Sequence, residues 1–154
     1  MSVDHATVVF FDASSLIAAA GSPQGGSGFL LSLCQRELLT GAVSDAVLVE
    51  AERNVMNKLG PVALATYDQL VEQTALNIMP VPAPPQLATW PSINAKDRHV
   101  VASAVAAQAS FLITLDRGLI TQANQTNLPV TVLTPEQFIK SVLPDHVDYP
   151  RLRP

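Results

Sequence analysis

Short apolar runs alternate along this chain with longer segments of helical spacing. Residues 6–11 (ATVVFF) are β-branched and aromatic, enough for a buried strand and too few for a buried helix. Asp12 ends the run, and residues 13–20 turn helical. Residues 21–28 (GSPQGGSG) predict a flexible loop, followed by a helix over 29–39 that stops near Gly41. Ala42-Val43-Ser44 predicts a minimal strand, with Ser44 as N-cap of a helix reaching about Leu59, where Gly60-Pro61 stops it. A further helix is expected over about 62–76 and a strand over 77–81. The segment 80–91 holds five prolines and reads as an extended crossing over the surface, neither helix nor central strand. A strongly apolar helix over 95–109 leads to a strand over 111–114, and the last strand spans 129–133. Thr134-Pro135-Glu136-Gln137 then supplies an N-cap, a proline at the first helical position and a capping-box glutamine.

Apolar strands separated by helices predict an α/β domain with a mostly parallel central sheet covered on both faces. Residues 1–143 read as one domain, because neither side of the proline-rich crossing could close a core alone. Residues 144–154 read as a Pro-rich, loosely held tail. In such folds the natural site is the crevice at the carboxyl ends of the strands. Three acids fall there: Asp12 directly after the first strand, Asp97 near a helix start, and Asp116 just past a later strand. Glu50 lies about a turn and a half into its own helix.

Composition narrows the chemistry. Nearly half the residues are apolar and only 14% are charged, which excludes a disordered chain. A single cysteine, Cys34, cannot form an internal disulfide and favours a reducing compartment. The N-terminus lacks a secretory pattern, and no apolar stretch approaches the ~20 residues of a membrane span, so a cytoplasmic protein without membrane association is expected. The net charge of −4 speaks against tight binding to a long duplex. Setting aside the four acids named above leaves 13 − 4 = 9 acidic residues against 9 basic ones, so the remaining surface is neutral.

A carboxylate placed straight after FF or FLITL is costly to desolvate without a partner. With so few basic residues, a metal ion is the simplest partner for several convergent acids. Oxygen donors without Cys/His ligand spacing favour Mg²⁺ or Mn²⁺ over zinc. Taken singly, each acid has a plainer role: Asp12 as a helix cap, Asp97 as a dipole complement, Asp116 as a turn residue before Arg117-Gly118.

Four blocks carry a resemblance: FFDASSLIAA (10–19), SDAVLVEAERNV (44–55), NAKDRHVVASAVAAQASFLITLDRGLI (94–120) and VTVLTPEQF (130–138). Together they resemble the PIN-domain family, in its bacterial branch near the VapC-type toxins. The resemblance implies a three-layer α/β/α sandwich and Mg²⁺- or Mn²⁺-dependent RNA cleavage; with one or two ions and water as the nucleophile, the cut is expected to leave 5′-phosphate and 3′-hydroxyl ends. It assigns the catalytic and metal-ligating acids to Asp12, Glu50, Asp97 and Asp116, with Ser14 and Thr114 as supporting hydroxyls. Toxin biology would add a small antitoxin protein in the crevice and a homodimer. Helical periodicity alone does not select Glu50, since Glu52 lies nearer the Leu48-Val55-Leu59 stripe; the resemblance selects it.

Lys96, Arg98 and Arg117 flank the last two acids and read either as phosphate-positioning groups or as solvated charge. His99, two residues from Asp97, does not share its helix face and is expected at an exposed or interface position. Residues 21–28 lack the Lys-Ser/Thr of a phosphate loop and read as a connection at the rim of the site. Trp90 is expected to pin the proline-rich crossing to the core, and Cys34 to pack within its helix. Two other function classes stay open: a phosphatase-like phosphoryl-transfer enzyme, although FDASS lacks a second Asp two residues on, and a catalytically silent binding module.

Overall fold

The computed structural model describes residues 2–80 and 90–152. Five strands form one parallel sheet: β1 (Val8–Phe11), β2 (Thr40–Ser44), β3 (Asn77–Met79), β4 (Phe111–Ile113) and β5 (Thr131–Leu133), in the order β3-β2-β1-β4-β5. Among the described residues seven α-helices accompany them: α1 (Ala13–Gly21), α2 (Gly26–Gln35), α3 (Asp45–Leu59), α4 (Pro61–Gln73), α5 (Arg98–Ala106), α6 (Arg117–Asn124) and α7 (Pro135–Ser141). The expected three-layer α/β/α sandwich is the observed architecture. β1 is central, and its Val9, Phe10 and Phe11 are fully buried, as a strand covered on both faces requires.

The chain begins in the middle of the sheet, builds outward through β2 and β3, then returns to lay β4 on the other side of β1. Right-handed crossovers put α1–α4 on one face and α5 and α6 on the other. α1 accordingly packs on α2, α3 and α4, while α5 lies across β2 and β4. The direction of winding reverses between β1 and β4, and their carboxyl ends open a crevice there.

Local signals hold at most boundaries. Ser44 Oγ accepts from Val47 N at 3.0 Å, α3 stops at Leu59, and Thr134 and Gln137 form the reciprocal capping box of α7. The departures have identifiable causes. The expected loop at 21–28 is half helix, because α2 starts at Gly26, and α2 ends at Gln35. Glu37 there takes φ 59°, and Gly41 sits inside β2 instead of stopping a helix. Residues 95–97 form a 3₁₀ turn, so the α-helix starts only at Arg98. α6 was not anticipated; Asp116 starts it. Residues 145–152 are not loose: Val3 bridges to His146, whose Nε2 meets the Leu38 carbonyl at 2.7 Å, and Leu152 is buried. These apolar and polar anchors hold the segment where its prolines alone suggested little order.

Trp90 is half-buried against the core, while the proline-rich crossing it was expected to pin lies, over residues 81–89, outside the described residues. Cys34 is buried and its thiol is pushed up to about 12 by that burial, as an inert packing group would be. Gly28 marks a close approach: a Cβ there would stand 2.1 Å from the Pro23 carbonyl oxygen. Gly28→Ala is expected to destabilise the fold by about 1–3 kcal/mol, read as a lower urea midpoint with an unchanged slope.

Candidate active site

The hydrogen-bond order at the crevice starts with Asp12. It follows the last buried residue of β1 and caps α1, with Oδ1 accepting from Ala13 N at 2.8 Å. Oδ2 accepts from Thr114 Oγ1 at 2.7 Å and from Ser14 Oγ at 3.2 Å. Thr114 is fully buried at the end of β4, and its Oγ1 also accepts from Asp116 N at 3.0 Å. Ser14 Oγ lies 3.2 Å from Thr114 Oγ1 and accepts from Leu115 N at 2.9 Å. Two hydroxyls thus tie the carboxyl end of β1 to that of β4, across the switch point.

Asp116 caps α6, its Oδ1 accepting from Leu119 N at 3.2 Å. Asp97 stands at the N-cap of α5 but makes no side-chain capping bond there. Its carboxyl is held above the ordinary value, first by burial, then by the nearby charges of Asp116 and Asp12. Lys96 and His99 act in the opposite direction. Among the described residues the ion pairs are Lys140–Glu136 and Arg151–Asp148, so none of these acids has a basic partner in contact. The plainer cap roles are therefore real for Asp12 and Asp116, yet leave the electrostatic demand of the cluster unmet.

Asp12, Glu50, Asp97 and Asp116 all line one cleft of about 860 Å³, together with Ser14, Asp45, Lys96 and His99. Glu52 lies elsewhere, on a shallower groove with Arg53 and Met56, and its charge bears on Tyr67. The stripe that favoured Glu52 included Leu59, which is 46% exposed; the buried residues of α3 are Val47, Ala51 and Val55. His99 is on the cleft wall and not at an outer surface, because Asp97 belongs to the 3₁₀ turn and the α-helical spacing argument does not apply to the pair. His99 Nδ1 is buried there without a hydrogen-bond partner.

Of the expected phosphate-positioning cations, Lys96 lines the cleft. Arg98 does not: at the first position of α5 it turns back, Nε donating to the Ile93 carbonyl at 2.9 Å and Nη2 to that of Pro91 at 3.0 Å. Arg117 lines a second groove, together with Leu115. Sequence reading missed Asp45, Arg53, Asn54 and Lys58, which α3 presents to the cleft with Glu50 at spacings of three to five residues. That periodicity was available as the polar complement of the buried 47-51-55 stripe.

The donors are hard oxygens gathered around a carboxyl that resists ionisation, a chemistry suited to a divalent cation. Their spacing is open: among the described residues no three His, Cys, Asp or Glu side chains stand close enough to surround one ion.

A parallel α/β sandwich with acids at its switch point defines a small class of proteins, and comparison places the chain within it. The sequence profile of the PIN domain matches residues 8–118, and the chain belongs to the PIN-domain family. That span holds all four acids. Members of the family are generally nucleases. Among proteins of curated function none matches this sequence.

Solved structures share the fold at low identity. The chain is similar to PAE2754 from Pyrobaculum aerophilum, with TM-score 0.60, 18% identity, and 86% of this chain and 92% of that one covered. It is similar to VapBC2 from Rickettsia felis, solved bound to a DNA fragment from their promoter, with TM-score 0.63, 16% identity and coverage of 83% and 98%. A third is VapC20 from Mycobacterium tuberculosis, a Sarcin-Ricin loop cleaving toxin, with TM-score 0.57, 15% identity and coverage of 75% and 95%.

Proposed function

We infer that this protein is a metal-dependent endoribonuclease, with Asp12, Glu50, Asp97 and Asp116 as its metal-ligating acids. The observation that carries the reading is the shared cleft, where a half-buried Asp97 feels Asp116 and Asp12 and no basic side chain pairs with any of them. A divalent cation, when bound, supplies charge neutralisation at the scissile phosphate and acidifies the attacking water. The chain's part is to fix the donors. Thr114 and Ser14 hold the Asp12 carboxylate, and the α6 cap holds that of Asp116. Lys96, Arg53 and Lys58, on the walls of the cleft, supply positive charge for the phosphates of the strand. His99 adds a ring to the cleft wall.

Mg²⁺ or Mn²⁺ is the expected cofactor, and single-stranded RNA the expected substrate class, since the cleft carries few cations. The family and the VapBC fold neighbours support a toxin role with a small antitoxin as partner. Among the described residues no helix is long and apolar enough to cross a membrane.

The test is incubation of the purified protein with single-stranded RNAs and a tRNA pool in EDTA, Mg²⁺ and Mn²⁺. Metal-dependent products ending in 5′-phosphate are expected. Metal-independent cutting, or 2′,3′-cyclic phosphate ends, would contradict the reading.

A further inference from the structure

The second groove, about 270 Å³, lies back to back with the acidic cleft: Ile17 of α1 lines the cleft and Ala18 lines the groove. Its volume falls just under that of pockets for whole small molecules and suits a single group. Its floor is the N-terminus of α2. Gly25 caps this ten-residue helix without a side-chain bond, and the N–H groups of Gly26, Ser27 and Gly28 have no backbone acceptor. Gly26 and Ser27 line the groove, and such donors with a helix dipole behind them favour an anion.

A second observation is independent of the helix end. Ser27 is only 5% exposed and lines the groove, and its hydroxyl has no hydrogen-bond partner among the described residues. The hydroxyl of so buried a residue, free of protein partners on the groove wall, is available to a ligand. Arg117 faces it from the first position of α6, next to the proposed metal-ligating Asp116, and makes no ion pair among the described residues. Glu136, the carboxylate of the groove, has its Oε1 held by Lys140 Nζ at 2.7 Å and also feels the charge of Arg117, which makes no ion-pair contact with it.

We propose that this groove is a phosphate subsite, in which the first-turn N–H groups of α2, the Ser27 hydroxyl and Arg117 hold a backbone phosphate of the RNA strand next to the one cut. The assignment of the ligand to RNA rests on the nuclease reading; the anion site itself does not. The groove thereby sets the strand's direction over the Leu115 ridge.

The test has two arms on the full-length protein. In the first, inorganic phosphate is titrated into the ¹⁵N-labelled, metal-free protein. Saturable shifts are expected at the Gly26, Ser27 and Gly28 amides, weakened about two- to tenfold in affinity by Ser27→Ala. No saturable shift at these amides would overturn the site. In the second arm, binding of single-stranded RNA to the Asp97→Asn protein is followed against salt, with and without Arg117→Gln. The slope of log K against log salt is expected to flatten by about 0.7 on losing one phosphate contact. Identical slopes beside intact phosphate shifts would overturn the RNA assignment and leave a site for free phosphate. A parent protein that cuts no RNA yet keeps the amide shifts would mark failure of the nuclease reading, whereas RNA cutting without the shifts would mark failure of the subsite.

Discussion

The Asp97→Asn protein, supplied with Mn²⁺, is expected to cut single-stranded RNA at least about a hundredfold more slowly than the parent, the scale of losing a group that stabilises transition-state charge. The amide keeps the shape of the side chain and removes its charge, so the fold is retained. Stability in EDTA should move the other way. Burial and the charges of Asp116 and Asp12 hold the Asp97 carboxyl above its ordinary 3.8, so the native chain keeps this proton to higher pH than the unfolded chain does. Stability contributed by Asp97 therefore falls as pH rises from the ordinary carboxylate value through the native one.

Asn carries no such penalty. The thermal midpoints of parent and variant should converge below about pH 4 and separate at neutral pH, with the metal-free variant at or above the parent. Saturating Mn²⁺ reverses the order. An ion bound only by the folded parent adds about 2.7 kcal/mol at a hundred times its dissociation constant. A variant that cuts as fast as the parent, or melts lower than it in EDTA at neutral pH, would contradict the role given to Asp97.

Thr114→Val should damage stability and activity together. Thr114 is fully buried; it donates to Asp12 Oδ2 at 2.7 Å and accepts from Asp116 N at 3.0 Å. Valine fills the same space and offers neither bond. Losing a hydrogen bond to a charged group costs about 1.5–3 kcal/mol. The Asp12 carboxylate is then freer to turn, and supporting groups of this kind change metal affinity or activity by about 10–100-fold. Thr114→Ser restores the hydroxyl and should recover most of the rate, which separates the hydrogen bonds from mere packing. Urea melts and cleavage rates on the two variants check this. Equal rates for Val and Ser would show that the hydroxyl does not support the acids.

The sheet was legible because its strands are unusually plain. VVFF in β1 and FLI in β4 are fully apolar, and the acids that end them sit where parallel strands open. The boundaries of α3 and α7 were legible through Ser44, Gly60-Pro61 and the Thr134 capping box, all local chemistry. What escaped was set by tertiary contacts. The start of α2 at Gly26 depends on close packing of Pro23 over Gly28 and of Pro135 beside Gly26, which no glycine count reveals. The choice between Glu50 and Glu52 depended on which flank of α3 faces α1 and which faces α4, and both flanks carry apolar residues. Arg98 and Arg117 stand next to acids in sequence but serve other places: Arg98 is drawn back to the Ile93 and Pro91 carbonyls, and Arg117 lines the second groove. His99 was misplaced for the related reason that Asp97 lies outside the α-helix.

The central claim is that Asp12, Asp97 and Asp116, with Glu50, hold a divalent cation at the switch point of the sheet. Its most direct test is a crystal soaked in Mn²⁺ and measured at the manganese absorption edge, for the parent and for Asp97→Asn. The account predicts an anomalous peak among those carboxylates in the parent and its loss in the variant. A parent crystal with manganese only at other surface acids, or equal peaks in both proteins, would contradict it.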